Sequence, residues 1–181
     1  MLVTGATGYV GSHAVVALLD AGHEVRCLVR TPARLDAALP GDARDRVEVA
    51  VGDVLVAASV ERALEGCDAV LHAAGAVGVS TARSGSRDVN VEGTRNVVGL
   101  AVRSGCDPIL YTSSVVVLDE SSPVMTSSTP LGSPPGPYGR SKLVAERYVQ
   151  SHQRAGAPVV SFYVGGVFGP ECPDVASGMV G

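Results

Sequence analysis

Thr4-Gly5-Ala6-Thr7-Gly8-Tyr9-Val10-Gly11 is the stretch whose reading decides how this chain folds. It follows the apolar Leu2-Val3 and opens a helix-length segment. Glycines at this spacing have separate tasks in a strand-to-helix turn. Gly5 permits the tight turn, Gly8 lets a pyrophosphate approach the backbone, and Gly11 lets helix pack on strand. The helix N-terminus then offers free N–H groups and the positive end of its dipole to phosphate. Three glycines alone also suit an ordinary turn; their place after a strand and ahead of a βαβ pattern favours a dinucleotide site. No GxxxxGK[ST] occurs, which removes a P-loop.

Outward from that turn, short β-branched runs alternate with helix-length segments. Strands are expected at residues 2–4, 24–29, 46–51, 69–72, 109–112 and 159–164, and helices near 9–21, 32–39, 57–64, 88–104 and 138–155. Gly22, Gly66, Gly105 and Gly156 follow helices as stop signals. Strict alternation implies a parallel sheet with right-handed crossovers. The fold class is therefore α/β, a Rossmann-type doubly wound sheet in the order 3-2-1-4-5-6 with helices on both faces. A first strand of barely three residues is expected to pair weakly and to be short of a residue or two. Residues 119–137, DESSPVMTSSTPLGSPPGP, hold five of the 11 prolines and read as a long loop.

The chain's 181 residues suit one domain, 46% hydrophobic and 18% charged. Five Tyr, two Phe and no Trp leave a small-residue core that suits a layered α/β fold. A net charge of −4 argues against a nucleic-acid partner. Cys27, Cys67, Cys106 and Cys172 form no CxxC pair, which speaks for reduced thiols rather than a metal or disulfide framework. Residues 2–19 carry no charge, but three glycines and several polar groups break them, so no membrane segment is expected. With no basic leader, the reading is cytoplasmic.

In a dinucleotide fold, the second strand should end with the residue that reads the adenosine ribose. An acid there suits a 2′-hydroxyl; a cation suits a 2′-phosphate. This chain has Val29-Arg30-Thr31-Pro32-Ala33-Arg34, with no acid between Glu24 and Asp36. Guanidinium groups fit a phosphate, so NADP(H) is favoured and NAD(H) is the alternative.

Tyr138-Gly139-Arg140-Ser141-Lys142 places Tyr and Lys on one helix face. A tyrosine is a poor base at neutral pH, and an adjacent ammonium lowers its pKa. It could then exchange a proton with a hydroxyl or carbonyl oxygen while hydride moves at the adjoining carbon. Thirteen of the 14 basic residues are Arg, and Lys142 is the only lysine. A compact ammonium there can serve ribose and tyrosine at once, which Arg cannot. Ser114 leaves the fifth strand where such sheets present residues to ligand, and its hydroxyl could bond a substrate oxygen.

These motifs together resemble the extended short-chain dehydrogenase/reductase superfamily, also called the NAD-dependent epimerase/dehydratase family. The "LVRTPARL" stretch looks most like its dihydroflavonol-reductase and hydroxysteroid-dehydrogenase branch. The resemblance implies catalytic Ser114, Tyr138 and Lys142. It also implies cofactor contacts at Thr4, Gly5, Thr7, Gly8, Tyr9, Val10 and Gly11 of the turn, at Arg30 and Arg34, and at Asp53 and Val54 beside adenine. Further contacts are expected at His72, Ala73 and Ala74, at Thr112, and at Val164 and Val167 around Gly165-Gly166-Val167-Phe168-Gly169-Pro170. The Asn-bearing helix start of the family matches Asn90. No metal site is implied.

Three departures from the family pattern stand out. Tyr163 occupies a position that is usually Arg. Ser114 is followed by Val115 and Val116 rather than the Asp-Glu pair of dehydratases, which disfavours dehydration. The chain stops at Gly181, so residues 1–181 read as the dinucleotide-binding domain without a C-terminal substrate domain, and cofactor binding is expected more surely than turnover. The leading reading is an NADP(H)-dependent oxidoreductase of a small ketone or secondary alcohol. One alternative is an NAD-dependent nucleotide-sugar epimerase; another, of a different class, is a dinucleotide-binding sensor or inactive truncated paralogue. No GxSxG elbow exists, so a Ser–His–Asp hydrolase is untenable. A homodimer is expected through helices 88–104 and 138–155, with Val144, Tyr148 and Val149 as apolar surface.

Overall fold

The computed structural model of the chain describes residues 1–76 and 89–169. Six strands, β1 (Leu2–Thr4), β2 (Val25–Val29), β3 (Val47–Val51), β4 (Val70–His72), β5 (Ile109–Ser114) and β6 (Val159–Val164), form one sheet in the order β3-β2-β1-β4-β5-β6. Every neighbouring pair is parallel. This is the expected topology, and it follows from helical crossovers of one hand between successive strands.

Burial on both faces explains why the strands read as continuous apolar runs. Successive side chains point to opposite faces, and the two cores show it. Val3, Cys27, Val29 and Leu71 pack with Val15 and Leu19 of α1 (Tyr9–Asp20), Leu35 of α2 (Pro32–Ala38) and Ala43 of α3 (Gly41–Asp45). Their neighbours Leu2, Leu28 and Val70 pack on the other side with Val60 of α4 (Ala57–Leu64), Val97 and Val98 of α5 (Thr94–Arg103), and Ala145 and Val149 of α6 (Gly136–Arg154). Each fully buried Val or Leu contributes about 1.5–3 kcal/mol.

Several sequence expectations need correction. The three residues of β1 pair on both sides, Leu2 with Arg26 and Val70 and Thr4 with Leu28 and His72, so the short strand is not weakly held. β2, β3 and β4 each begin one residue late, and β5 runs on to Ser114 because β6 pairs with it through Ser114↔Val164. The helix expected over 88–104 begins as a π turn at Val89–Gly93, and α3 was not expected. The long loop carries a single bridge, Leu118↔Leu131, and gives way to α6 already at Gly136. Pro170 and Cys172 lie outside the described residues; Cys27, Cys67 and Cys106 are free thiols. No helix among the described residues is long and apolar enough to cross a membrane, and none of their His, Cys, Asp or Glu side chains cluster as metal ligands.

Candidate functional site

The strand order turns back on itself between β1 and β4, and the carboxyl ends of the strands open there onto one crevice. Its floor is the glycine turn. Gly5 has φ +79°, and a Cβ there would lie 2.5 Å from the carbonyl carbon of Ala73 and the amide of Ala74. A Cβ on Gly11 would stand 2.1 Å from the Gly5 carbonyl oxygen, so α1 and the turn touch backbone to backbone. A Cβ on Gly8 would meet only that same oxygen, at 3.4 Å. Gly8 caps α1, with no side chain bonded to the helix mouth and no acid in the first turn. Those free N–H groups and the open backbone fit a pyrophosphate.

Two cavities meet over this turn and share Gly5, Gly8, Ala73, Ala74, Gly75 and Ala76. The smaller, about 370 Å³, runs toward Arg30, Asp53 and Val54, with Thr7 and Val29 in its wall. Asp53 is fixed by its own turn, its Oδ1 accepting from the Leu55 amide at 2.9 Å. Beside it Arg30 and Arg34 close on Thr7 and Thr31 around a further space of about 350 Å³. Among the described residues neither arginine forms a salt bridge, so both guanidinium groups remain available to an anion.

The larger cavity, about 570 Å³, is lined by Tyr9, Val10, Gly11, Asn90, Thr112, Ser114, Tyr138, Lys142, Val164 and Val167. Thr112 and Ser114 come from β5, and Tyr138 and Lys142 from α6, which starts with a proline in its first turn. The Ser114 hydroxyl accepts from the Val116 amide at 3.4 Å, a long contact that leaves its proton for another acceptor. Asn90 organises the rim. Its side chain accepts from the Ala76 amide at 2.9 Å and donates to the Ala76 carbonyl at 3.1 Å and to Ser141 Oγ at 2.9 Å. It thus ties the loop after β4 to α6, a role that only the fold shows, since Ala76 and Ser141 are distant in sequence. A π turn at such a place is common beside functional sites.

Lys142 is 7% exposed, and its hydrogen bonds go to β5 rather than to Tyr138. Its Nζ donates to the Tyr111 hydroxyl at 3.1 Å and to the Thr112 carbonyl at 2.8 Å, and sits 4.7 Å from the centre of the Tyr111 ring. Burial pulls its pKa down to about 8, while Glu146 acts in the opposite sense. Nothing in the sequence marks Tyr111, whose alternation in β5 looks like any core position.

Two expected cofactor contacts, Thr4 and His72, lie beneath the crevice rather than in it. Thr4 is fully buried and His72 is 1% exposed. The Thr4 hydroxyl bonds His72 Nδ1 at 2.7 Å, and Nε2 bonds the Thr94 hydroxyl at 3.1 Å. The ring stacks on Tyr111 at 5.8 Å. Both side chains point into the core because β1 and β4 are central strands. Burial lowers the His72 pKa from 6.5 to about 3, with Lys142 adding to the effect.

An acid sensitivity follows from that depression. Below about pH 6.5 the unfolded chain takes up a proton at His72 that the native state refuses until about pH 3. Stability is therefore full above that window and should fall by about 1.4 kcal/mol per pH unit through it. His72→Gln keeps polar bonding without titrating and should flatten this slope between pH 6.5 and 5. Equal slopes in urea unfolding for both proteins would refute the assignment.

A model of the NAD dependent epimerase/dehydratase family matches residues 1–180. The chain is 34% identical over 165 residues to a 3-beta-hydroxysteroid dehydrogenase of Mycolicibacterium neoaurum, covering 82% of this chain and 42% of that protein. It is 35% identical over 173 residues to a UDP-glucose 4-epimerase of Neisseria meningitidis, covering 86% and 48% respectively. The solved UDP-glucose 4-epimerase of Thermus thermophilus, a complex with NAD, superposes with a TM-score of 0.78 at 26% identity over 95% of this chain and 57% of that one. The chain thus spans less than half the length of these two curated relatives.

Proposed function

The chain belongs to the NAD dependent epimerase/dehydratase family, and on that premise we propose that it is an oxidoreductase binding a nicotinamide dinucleotide, NADP(H) in preference to NAD(H). Its substrate in this reading is a small ketone or secondary alcohol. The observation that carries the reading is convergence: Ser114, Tyr138 and Lys142 line the same cavity as the first turn of α1, whose cap, Gly8, puts no side chain over the helix mouth.

The dinucleotide, when bound, supplies or accepts hydride; the rest falls to side chains. The turn from Gly5 to Gly8 and the α1 amides hold the pyrophosphate. Asp53 and Val54 flank adenine, and Arg30 with Arg34 binds a 2′-phosphate. Ser114 and Tyr138 orient the substrate oxygen, and the Tyr138 hydroxyl moves the proton. Lys142 spends two of its three N–H donors on Tyr111 and Thr112, which leaves one for the crevice and a ribose. Val115 and Val116 offer no acid or base beside Ser114, which favours redox chemistry over dehydration. A second reading, NAD-dependent epimerisation of a nucleotide sugar, has the two epimerase likenesses in its favour.

Fluorescence titration is expected to give NADPH at least about tenfold tighter binding than NADH, a difference of about 1.4 kcal/mol. Arg30→Asp should reverse the order, because it exchanges a phosphate partner for a hydroxyl acceptor. NADH binding as tightly as NADPH would overturn the preference.

A cytoplasmic homodimer paired through α5 and α6 completes the proposal. Of the three side chains expected at that seam, Val149 is fully buried within the chain, whereas Val144 is 41% exposed. A monomeric mass in light scattering at tens of micromolar would remove the dimer.

A further inference from the structure

Glu146 is a carboxylate with no exposed surface, four residues beyond Lys142 and so one turn along the same face of α6. One oxygen accepts from the Tyr163 hydroxyl at 2.8 Å and from Ser161 Oγ at 3.2 Å, both on β6. The other oxygen is buried without a hydrogen bond. Among the described residues no arginine, lysine or histidine forms a salt bridge with it. A buried charge left this way is costly unless an opposite charge stands nearby.

The groups around the two side chains are few. Tyr111 reaches them from β5, His72 from β4, Tyr163 from β6, and Tyr138 shares α6. His72 is neutral, since burial holds its pKa near 3, and the phenols of Tyr111 and Tyr163 are pushed upward by burial and by Glu146. Among the described residues named here, Lys142 is the one cation and Glu146 the one carboxylate.

We infer that Glu146 is a positioning residue for Lys142, a buried counter-charge that keeps the ammonium protonated under the crevice. Tyr163 matters because a phenol bonds the carboxylate without neutralising it. An arginine at position 163 would cancel the field of Glu146 before it reached Lys142. With Tyr163 in that place, the carboxylate has a hydroxyl partner and no ion pair among the described residues. The inference deepens the proposed function, since it rests on Lys142 acting as a charged group toward the dinucleotide.

Lys142 is the only lysine, so protein labelled with ¹³C,¹⁵N-lysine carries a single ε-methylene signal to titrate. Without any dinucleotide, the wild-type midpoint is expected near 8. Glu146→Gln should lower it by about one unit. Tyr163→Phe disturbs the same packing while keeping the carboxylate, and should leave the midpoint close to wild type. Tyr163→Arg should lower it as Glu146→Gln does, and serves alone if the glutamine variant does not fold. An unmoved midpoint in Glu146→Gln or Tyr163→Arg would overturn the inference. So would a Tyr163→Phe shift as large as that of Glu146→Gln, because packing would then explain both. The titration needs no cofactor; failure of NADPH to bind would refute the proposed function while the measured coupling stood.

Discussion

Tyr138→Phe is expected, on the proposed function, to slow carbonyl reduction by roughly 10²–10⁴-fold, the usual worth of a positioned proton donor, while NADPH affinity changes less than about threefold. The asymmetry comes from where the hydroxyl sits. Tyr138 lines the larger cavity beside Ser114, whereas Arg30 and Asp53 line the smaller one, so in the proposed function removing its oxygen affects the proton and not the phosphates. Lys142→Arg should behave differently and damage both rate and affinity. Its Nζ is wedged between the Tyr111 hydroxyl at 3.1 Å and the Thr112 carbonyl at 2.8 Å, and a planar guanidinium cannot enter that point-charge position. Steady-state rates with a panel of small ketones, read beside fluorescence titration of NADPH, separate the two effects. A Tyr138→Phe protein retaining half the wild-type rate would remove Tyr138 from the chemistry.

The second large effect is a contrast between two glycines three residues apart. Gly11→Ala should destabilise the fold by about 3 kcal/mol or more, because its Cβ would lie 2.1 Å from a backbone oxygen that has no room to retreat. Against a total stability of about 5–15 kcal/mol, that lowers the urea midpoint substantially. Gly8→Ala meets the same oxygen at 3.4 Å, an ordinary contact, so the fold should keep its stability to within about 1 kcal/mol. Its methyl would nevertheless stand at the proposed approach of the phosphates, and NADPH binding should weaken at least about tenfold. Equal unfolding midpoints for the two variants would show that Gly11 is not a packing position. Undiminished NADPH binding by Gly8→Ala would place the phosphates elsewhere.

Local chemistry was enough to read the turn from Thr4 to Gly11, the glycine stops after helices, and the pairing of Tyr138 with Lys142 on one helix face. Each of these depends on residues within one or two turns of one another. The strand order followed as well, since alternating strands and helices with one-handed crossovers leave few topologies. Element ends were less legible. β5 reaches Ser114 because β6 bonds to it there, a partner 50 residues downstream in the register Ser114↔Val164. The helix start near Asn90 becomes a π turn where a Cβ on Gly93 would stand 2.9 Å from Val54 and the Asn90 side chain ties down the loop after β4. No periodicity within that segment encodes either contact.

The polar interior belongs wholly to the tertiary structure. A histidine at a strand end and a threonine before a glycine turn look like ligand contacts in sequence, yet Thr4 and His72 bond each other inside the core. Spacing puts Lys142 on one face with Tyr138, whereas packing of α6 on the sheet sets its ammonium against Tyr111. Spacing along a helix tells which residues share a face, but not what that face meets. For Glu146 it meets the hydroxyls of Ser161 and Tyr163 on β6, and only the assembled fold brings that strand against α6.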